Sequence, residues 1–261
     1  MNIVFVGAGR LATNFSIALH ANGHCIQAVY SRTMQSAKAL AELVGAQATD
    51  SVQQLPVDAD AYILALKDSV LCQVIPALAK GRENCMFFHT AGSMPMSVFE
   101  GFATNYGVIY PMQTFSKERH VDFSHIPVFI EGNGSHSLDV ARQIASSVSG
   151  EVRELSGDAR RHLHLAAVFA CNFANHCYTL SASILQQHGL PFSVMLPLIG
   201  ETANKVATMH PKDAQTGPAI RYDENVINAQ LALLEHAPMA HDIYELMSKS
   251  IHEYSKNDDK L

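Results

Sequence analysis

Met1-Asn2-Ile3-Val4-Phe5-Val6, followed at once by Gly7-Ala8-Gly9-Arg10-Leu11-Ala12, decides the fold class. The first part is β-branched and aromatic and reads as a strand, whereas Leu11, Phe15, Ala18 and Leu19 recur at helical spacing just after it. G-x-G-x-x-A between a strand and a helix is the setting in which that motif means dinucleotide binding. Gly7 permits the tight turn, Gly9 lets backbone approach a pyrophosphate with no Cβ in the way, and Ala12 keeps helix close to strand. The turn Gly7-Ala8-Gly9-Arg10-Leu11 leads into a helix N-terminus, whose unpaired N–H groups and partial positive charge favour phosphate.

Strand and helix signals alternate outward from this turn. Cys25–Tyr30 reads as a second strand and Met34–Val44 as a helix, with Ser31 or Thr33 placed to cap it. Ala61–Leu66 is a near-continuous apolar run, as expected of a strand buried on both faces of a parallel sheet. A helix from Asp68 to about Leu78 precedes a strand at Cys85–His89. Further strands are expected at Gly107–Tyr110, Pro127–Ile130 and Glu151–Leu155, with a helix over Ser135–Ser147. This alternation predicts an α/β, doubly wound, mainly parallel Rossmann sheet over residues 1–155. From Ser156 the pattern turns helical: one long helix from His162 to about Gln187, stopped at Gly189, then Asn225–Glu235 and Met239–Tyr254. Residues 156–261 therefore read as an all-helical substrate and dimerisation domain, with Ser255–Leu261 as a polar tail.

The 261 residues are 48% hydrophobic and 16% charged, with a net charge of −6, and no run of Lys or Arg marks a nucleic-acid or anionic-membrane partner. Five scattered cysteines without C-x-x-C spacing predict a reduced, cytoplasmic protein using thiols as small core residues. No stretch approaches the ~18 uninterrupted apolar residues of a membrane span. No metal site is expected: Cys171, Cys177, His162, His164 and His176 cluster in sequence, but no pair among them has zinc-finger or H-E-x-x-H spacing.

The end of the second strand selects the cofactor. An NAD site places a carboxylate there for the ribose 2′-OH. This chain offers Tyr30-Ser31-Arg32-Thr33 instead, and Arg32 with two hydroxyls suits the 2′-phosphate of NADP. The competing reading makes Ser31 or Thr33 a helix cap and Arg32 a solvated charge. Ligands of open α/β sheets lie at the carboxyl ends of the strands. That brings Leu66 and Lys67, His89 and Thr90 of the His89–Ser93 loop, and the Tyr110–Thr114 loop towards the cofactor. On the long helix His164, Cys171 and Asn175 share one face at spacings of 7 and 4, with Asn172 beside it. Imidazole and amide groups there suit polarising a carbonyl or imine and moving a proton. Val168, Phe169, Phe173, Leu180 and Ile184 of that helix exceed what one buried face covers, which predicts a homodimer through the helical domain.

Four segments carry a family resemblance: His89-Thr90-Ala91-Gly92-Ser93, Tyr110-Pro111-Met112-Gln113-Thr114-Phe115, His164-Leu165-Ala166-Ala167-Val168 with Asn172, and Thr216-Gly217-Pro218-Ala219-Ile220-Arg221-Tyr222-Asp223. With the glycine turn, they make nearly the whole chain resemble a bacterial family of Rossmann-like NADP oxidoreductases. That family sits within the 6-phosphogluconate-dehydrogenase-like superfamily, beside pyrroline-carboxylate reductase, ketopantoate reductase and β-hydroxyacid dehydrogenases. The resemblance implies a site between the two halves with His164, Asn172, Arg221 and Asp223 as catalytic candidates. Arg221 and Asp223 read equally as an ion pair fixing the Thr216–Pro218 turn. Two positions depart from the pattern: Tyr110 stands where a histidine is expected, and Tyr222 where a glycine is. If that histidine moves a proton, Tyr110 has to supply it, with a much higher unperturbed pKa.

The expected function is NADP-dependent hydride transfer to or from a small carbonyl or imine. Two alternatives stand beside it: a non-catalytic NADP-binding sensor that associates through its helices, and hydride exchange between NADP and a deazaflavin.

Overall fold

The computed structural model describes residues 1–117, 119 and 121–256. The chain forms β1 (Asn2–Val6), α1 (Arg10–Ala21), β2 (Cys25–Tyr30), α2 (Met34–Val44), β3 (Gln47–Thr49), β4 (Ala61–Leu64), α3 (Asp68–Ala79), β5 (Met86–His89), β6 (Asn105–Pro111), β7 (Val128–Gly132), α4 (Ser135–Ser146) and β8 (Val152–Glu154). All eight strands join one sheet in the order β3-β2-β1-β4-β5-β6-β7-β8. Pairing is parallel except between β6 and β7. Ile3 and Phe5 of β1 enter one core with Phe15, Leu19 and Leu40, while Val4 and Val6 enter the other with Leu71, Ile75 and Leu78. Helices thus cover both faces, which is why Ile3–Val6 of β1 are apolar at every position. Each large side chain so buried stabilises the fold by about 1.5–3 kcal/mol relative to exposure.

Register sets the functional edge. Val6 lies level with Tyr30 and Leu64, and Leu64 with His89. The residues that follow these strands, Gly7, Ser31, Ala65 and Thr90, therefore emerge together at the carboxyl end of the sheet.

β3 escaped the sequence reading because three residues directly after a helix stop carry no period of their own. The expected side-chain cap on α2 is also absent: Thr33 occupies the N-cap position, but its hydroxyl pairs with Ser36 Oγ at 2.9 Å. None of the five cysteines is buried, so they are not the core residues expected; Cys25, Cys72 and Cys177 are exposed, and all five are free thiols.

The expected long helix forms, with a change of geometry inside it. Gly157–Ala167 (α5) is α-helical, Val168–Phe173 is π-helical, and Ala174–Gln187 (α6) is α-helical again. A π turn hydrogen-bonds i to i+5, one residue more than an α turn. A 3.6-residue phase therefore does not carry unbroken from His164 to Cys171 and Asn175. Gly189 follows with φ +70°, the left-handed conformation of a helix stop.

Two compact units are present, Met1–Cys171 and Asn172–Leu261. α5, which the sequence assigns to the helical half, is tied to the sheet. Leu163 packs on Val108, Tyr110 and Phe129, and Gly157 N donates to Glu131 Oε1 at 2.8 Å.

The second unit continues through α7 (Leu196–Thr208), α8 (Pro211–Ala214), α9 (Pro218–Arg221), α10 (Glu224–Ala232) and α11 (Pro238–Lys256). Within it α11 packs on α9 and α10. Of the expected polar tail, Ser255 and Lys256 are helical and 257–261 lie outside the described residues. No helix among the described residues is long and apolar enough to cross a membrane.

Candidate active site

The glycine turn has the geometry its motif demands. Gly7 has φ +119°, and a Cβ there would sit 2.3 Å from the Ala65 carbonyl oxygen, so side chains are excluded twice over. Gly9 is different: its backbone is extended, and a Cβ would meet nothing within 4 Å. That open space faces the start of α1, which has no side-chain cap and no acidic residue in its first turn. Uncapped N–H groups beside open backbone fit a pyrophosphate. Ala8 is buried, Leu11 half-buried and Arg10 exposed.

At the end of β2, Arg32 is exposed and forms no ion pair among the described residues, and Ser31 keeps its hydroxyl free of hydrogen bonds to them. These groups fit a 2′-phosphate. Arg32→Ala removes the charge there, at roughly 1.5–3 kcal/mol for a charge-assisted contact. NADPH affinity is expected to fall tenfold or more while NADH binding barely changes, as fluorescence titration would read; equal affinity of the unmutated protein for both cofactors defeats the assignment.

Leu66 and Lys67 follow β4, with Lys67 exposed at the N-cap of α3. Asp68, the first residue of α3, accepts a hydrogen bond from the Ser93 hydroxyl and so joins the loops after β4 and β5. Thr90 N donates to Leu64 O at 3.2 Å.

His89 is fully buried. Its Nδ1 accepts from Ala91 N at 3.1 Å, so Nε2 carries the proton and donates to Pro95 O at 3.3 Å. Burial, helped by the Arg160 charge, pushes its pKa down to about 3, so the ring is neutral. Both ring nitrogens are committed to shaping the 90–95 loop, which leaves the His89 side chain no polar atom to offer a cofactor.

A second cluster lies beside that loop. Tyr110, buried at the end of β6, meets His164 on α5 with Oη 3.0 Å from Nδ1 and the rings edge to face at 6.0 Å. Gly92 makes this possible, since a Cβ there would lie 2.6 Å from His164 Nδ1. One turn earlier on α5, the Arg160 side chain is 1% exposed and pairs with Glu131 at 2.5 Å and with Met94 O at 2.6 Å. Burial raises the Tyr110 pKa, and the Arg160 charge opposes that rise. The sequence reading named His164 and the loop containing Gly92, but not the Tyr110 contact, Arg160 or Glu131. Arg160 and Glu131 are 29 positions apart, beyond any local period.

Asn172 falls in the π-helical segment and is exposed. In the second unit Arg221 ends α9 and Asp223 precedes α10 as its N-cap residue, and no ion pair joins them. Tyr222 between them has φ +52°, the left-handed region, which is the physical reason a glycine suits that position. Its ring lies 4.8 Å from that of His252, whose Nδ1 is 2.9 Å from Ile220 O. Among the described residues no group of three or more His, Cys, Asp or Glu could hold a metal ion.

Residues 2–85 match the family of coenzyme F420-dependent NADP oxidoreductases, and residues 126–251 match a domain family of unknown function, DUF2520. No curated protein matches the chain. Among solved structures, a Bacteroides fragilis protein assigned as an NADP oxidoreductase is 50% identical over 97% of this chain and 98% of its own, with a TM-score of 0.94. An imine reductase of Myxococcus stipitatus, crystallised with NADP+, is 17% identical over 98% of this chain and 94% of its own (TM-score 0.69). A pyrroline-5-carboxylate reductase of Coxiella burnetii is 19% identical over 100% and 99% (TM-score 0.59). The last two share the fold. With half its residues identical to the Bacteroides protein over almost the full length of both, the chain belongs to the same family of NADP oxidoreductases.

Proposed function

We propose that the protein transfers hydride between NADP(H) and a small carbonyl or imine compound. One observation carries the reading: the open approach at Gly9, the Ser31–Arg32–Thr33 strand end and the Tyr110–His164 pair all lie at the carboxyl ends of parallel strands in one sheet. When bound, NADPH supplies the hydride. The chain's own groups hold the phosphates, shape the 90–95 loop and present His164 to the substrate. Asn172, Arg221 and Asp223 are further candidates for substrate contact. The test is NADPH oxidation against a panel of small ketones, aldehydes and cyclic imines, including 1-pyrroline-5-carboxylate. NADPH binding without turnover of any of them would leave an NADP sensor as the better description.

The family match over residues 2–85 favours a second reading, hydride exchange with a deazaflavin. That match ends before His89, Tyr110 and His164, so the small-substrate reading stands first, and coenzyme F420 in the same panel separates the two.

Homodimerisation through the helical unit belongs to the same proposal. Among the described residues of that unit only Leu185, Ala219 and Ile227 are buried apolar side chains, whereas Leu196, Leu198, Leu233, Met239 and Leu246 are 55–84% exposed. So much uncovered apolar surface marks an interface, and a second copy about a two-fold axis is its simplest cover. Light scattering at micromolar concentration is expected to give twice the 28.4 kDa chain mass; a monomer would refute it.

A further inference from the structure

Tyr110 and His164 come from different elements and meet through one hydrogen bond, Oη to Nδ1 at 3.0 Å. We infer that they form a two-proton relay that protonates the oxygen of a neutral carbonyl substrate. In it the Tyr110 hydroxyl donates to Nδ1, and the Nε2–H of His164 is offered to the substrate. The inference rests on the reductase reading above and narrows its substrate to C=O.

The geometry supports each part. The His164 ring lies against Gly92 with no room for a side chain between them, so its orientation is fixed by the loop backbone. Nδ1 is occupied by Tyr110, whereas Nε2 has no partner among the described residues and is not among the buried unpartnered atoms. A hydroxyl donating to Nδ1 leaves the proton on Nε2, the nitrogen that remains available. Behind the phenol, the buried Arg160 guanidinium keeps one N–H, on Nε, without a partner. Its charge opposes the rise that burial imposes on the Tyr110 pKa.

The step balances as follows. The carbonyl carbon takes the hydride that NADPH supplies, and the C=O π pair moves onto oxygen. That oxygen takes the Nε2 proton while Nδ1 takes the proton of Tyr110. Substrate is reduced and the dihydronicotinamide is oxidised; the pair resets when Nε2 takes a proton from water and Nδ1 returns its proton to the phenolate. An iminium, by contrast, brings its own proton and needs a negative neighbour. The two carboxylates around this cluster are engaged elsewhere: Glu131 with Arg160 and Gly157 N, Asp68 with Ser93. The other ionisable neighbours are neutral His89 and, outward on α5, exposed Arg161 and His162.

Nitrogen NMR of ¹⁵N-histidine protein, with His164 assigned by His164→Gln, tests the relay without substrate. The wild type is expected in the Nε2–H tautomer, and Tyr110→Phe should leave a mixture while circular dichroism shows an unchanged fold. An Nδ1–H tautomer in the wild type, or one indifferent to Tyr110→Phe, overturns the relay. In turnover, Tyr110→Phe should lower kcat for a carbonyl by about 100-fold, the scale of a lost general acid, with KM for NADPH unchanged. The solvent deuterium inventory should fall from two protons to one. A wild type that reduces imines but no carbonyl overturns the relay alone; one that reduces nothing overturns the reductase reading and the relay with it.

Discussion

Gly9→Val is expected to abolish NADPH binding and leave the protein folded. The two consequences separate because the Gly9 backbone is extended, a conformation that β-branched residues favour, and because a Cβ there meets nothing within 4 Å. The protein therefore tolerates the side chain, whereas a pyrophosphate approaching the uncapped start of α1 does not. Gly7 could not serve for this test. Its left-handed φ and the Ala65 carbonyl at 2.3 Å would confound lost binding with lost folding. Fluorescence titration with NADPH should show no saturable binding, and circular dichroism should overlay the wild type. Retained binding would mean that the turn does not cradle phosphate.

His164→Ala is expected to lower turnover at least 100-fold, a typical cost for losing a general acid–base group, with NADPH affinity intact. The substitution empties the space beside Gly92 and leaves the Tyr110 hydroxyl without its partner. It does not touch the glycine turn or the Ser31–Thr33 strand end, so the predicted loss lies in kcat. The same fall is expected of Asn172→Ala, an exposed position whose truncation removes little packing. A cofactor complex that places both side chains more than about 8 Å from nicotinamide C4, beyond direct or one-water contact with a substrate there, would remove them from the chemistry.

The local code of this chain was legible without a structure. The glycine turn sits between β1 and α1 as read, and β2 and α2 span the residues predicted, Cys25–Tyr30 and Met34–Val44. Turns, caps and apolar periods act over a few residues, so one segment contains the whole signal. Tertiary structure decided the rest. β3 is held by its pairing with β2 and carries no pattern of its own. The π turn at Val168–Phe173 reset a helical phase that the sequence continued without a break. His164 stood out in the sequence as one of 14 histidines, but the groups that give it a chemical setting are remote in the chain: Tyr110 is 54 positions away, and the Arg160 behind that phenol pairs with Glu131 29 positions away and with Met94 66 positions away. Sheet register and the seating of α5 bring these groups together, and no period along the chain records the distance between strands that become neighbours only on folding.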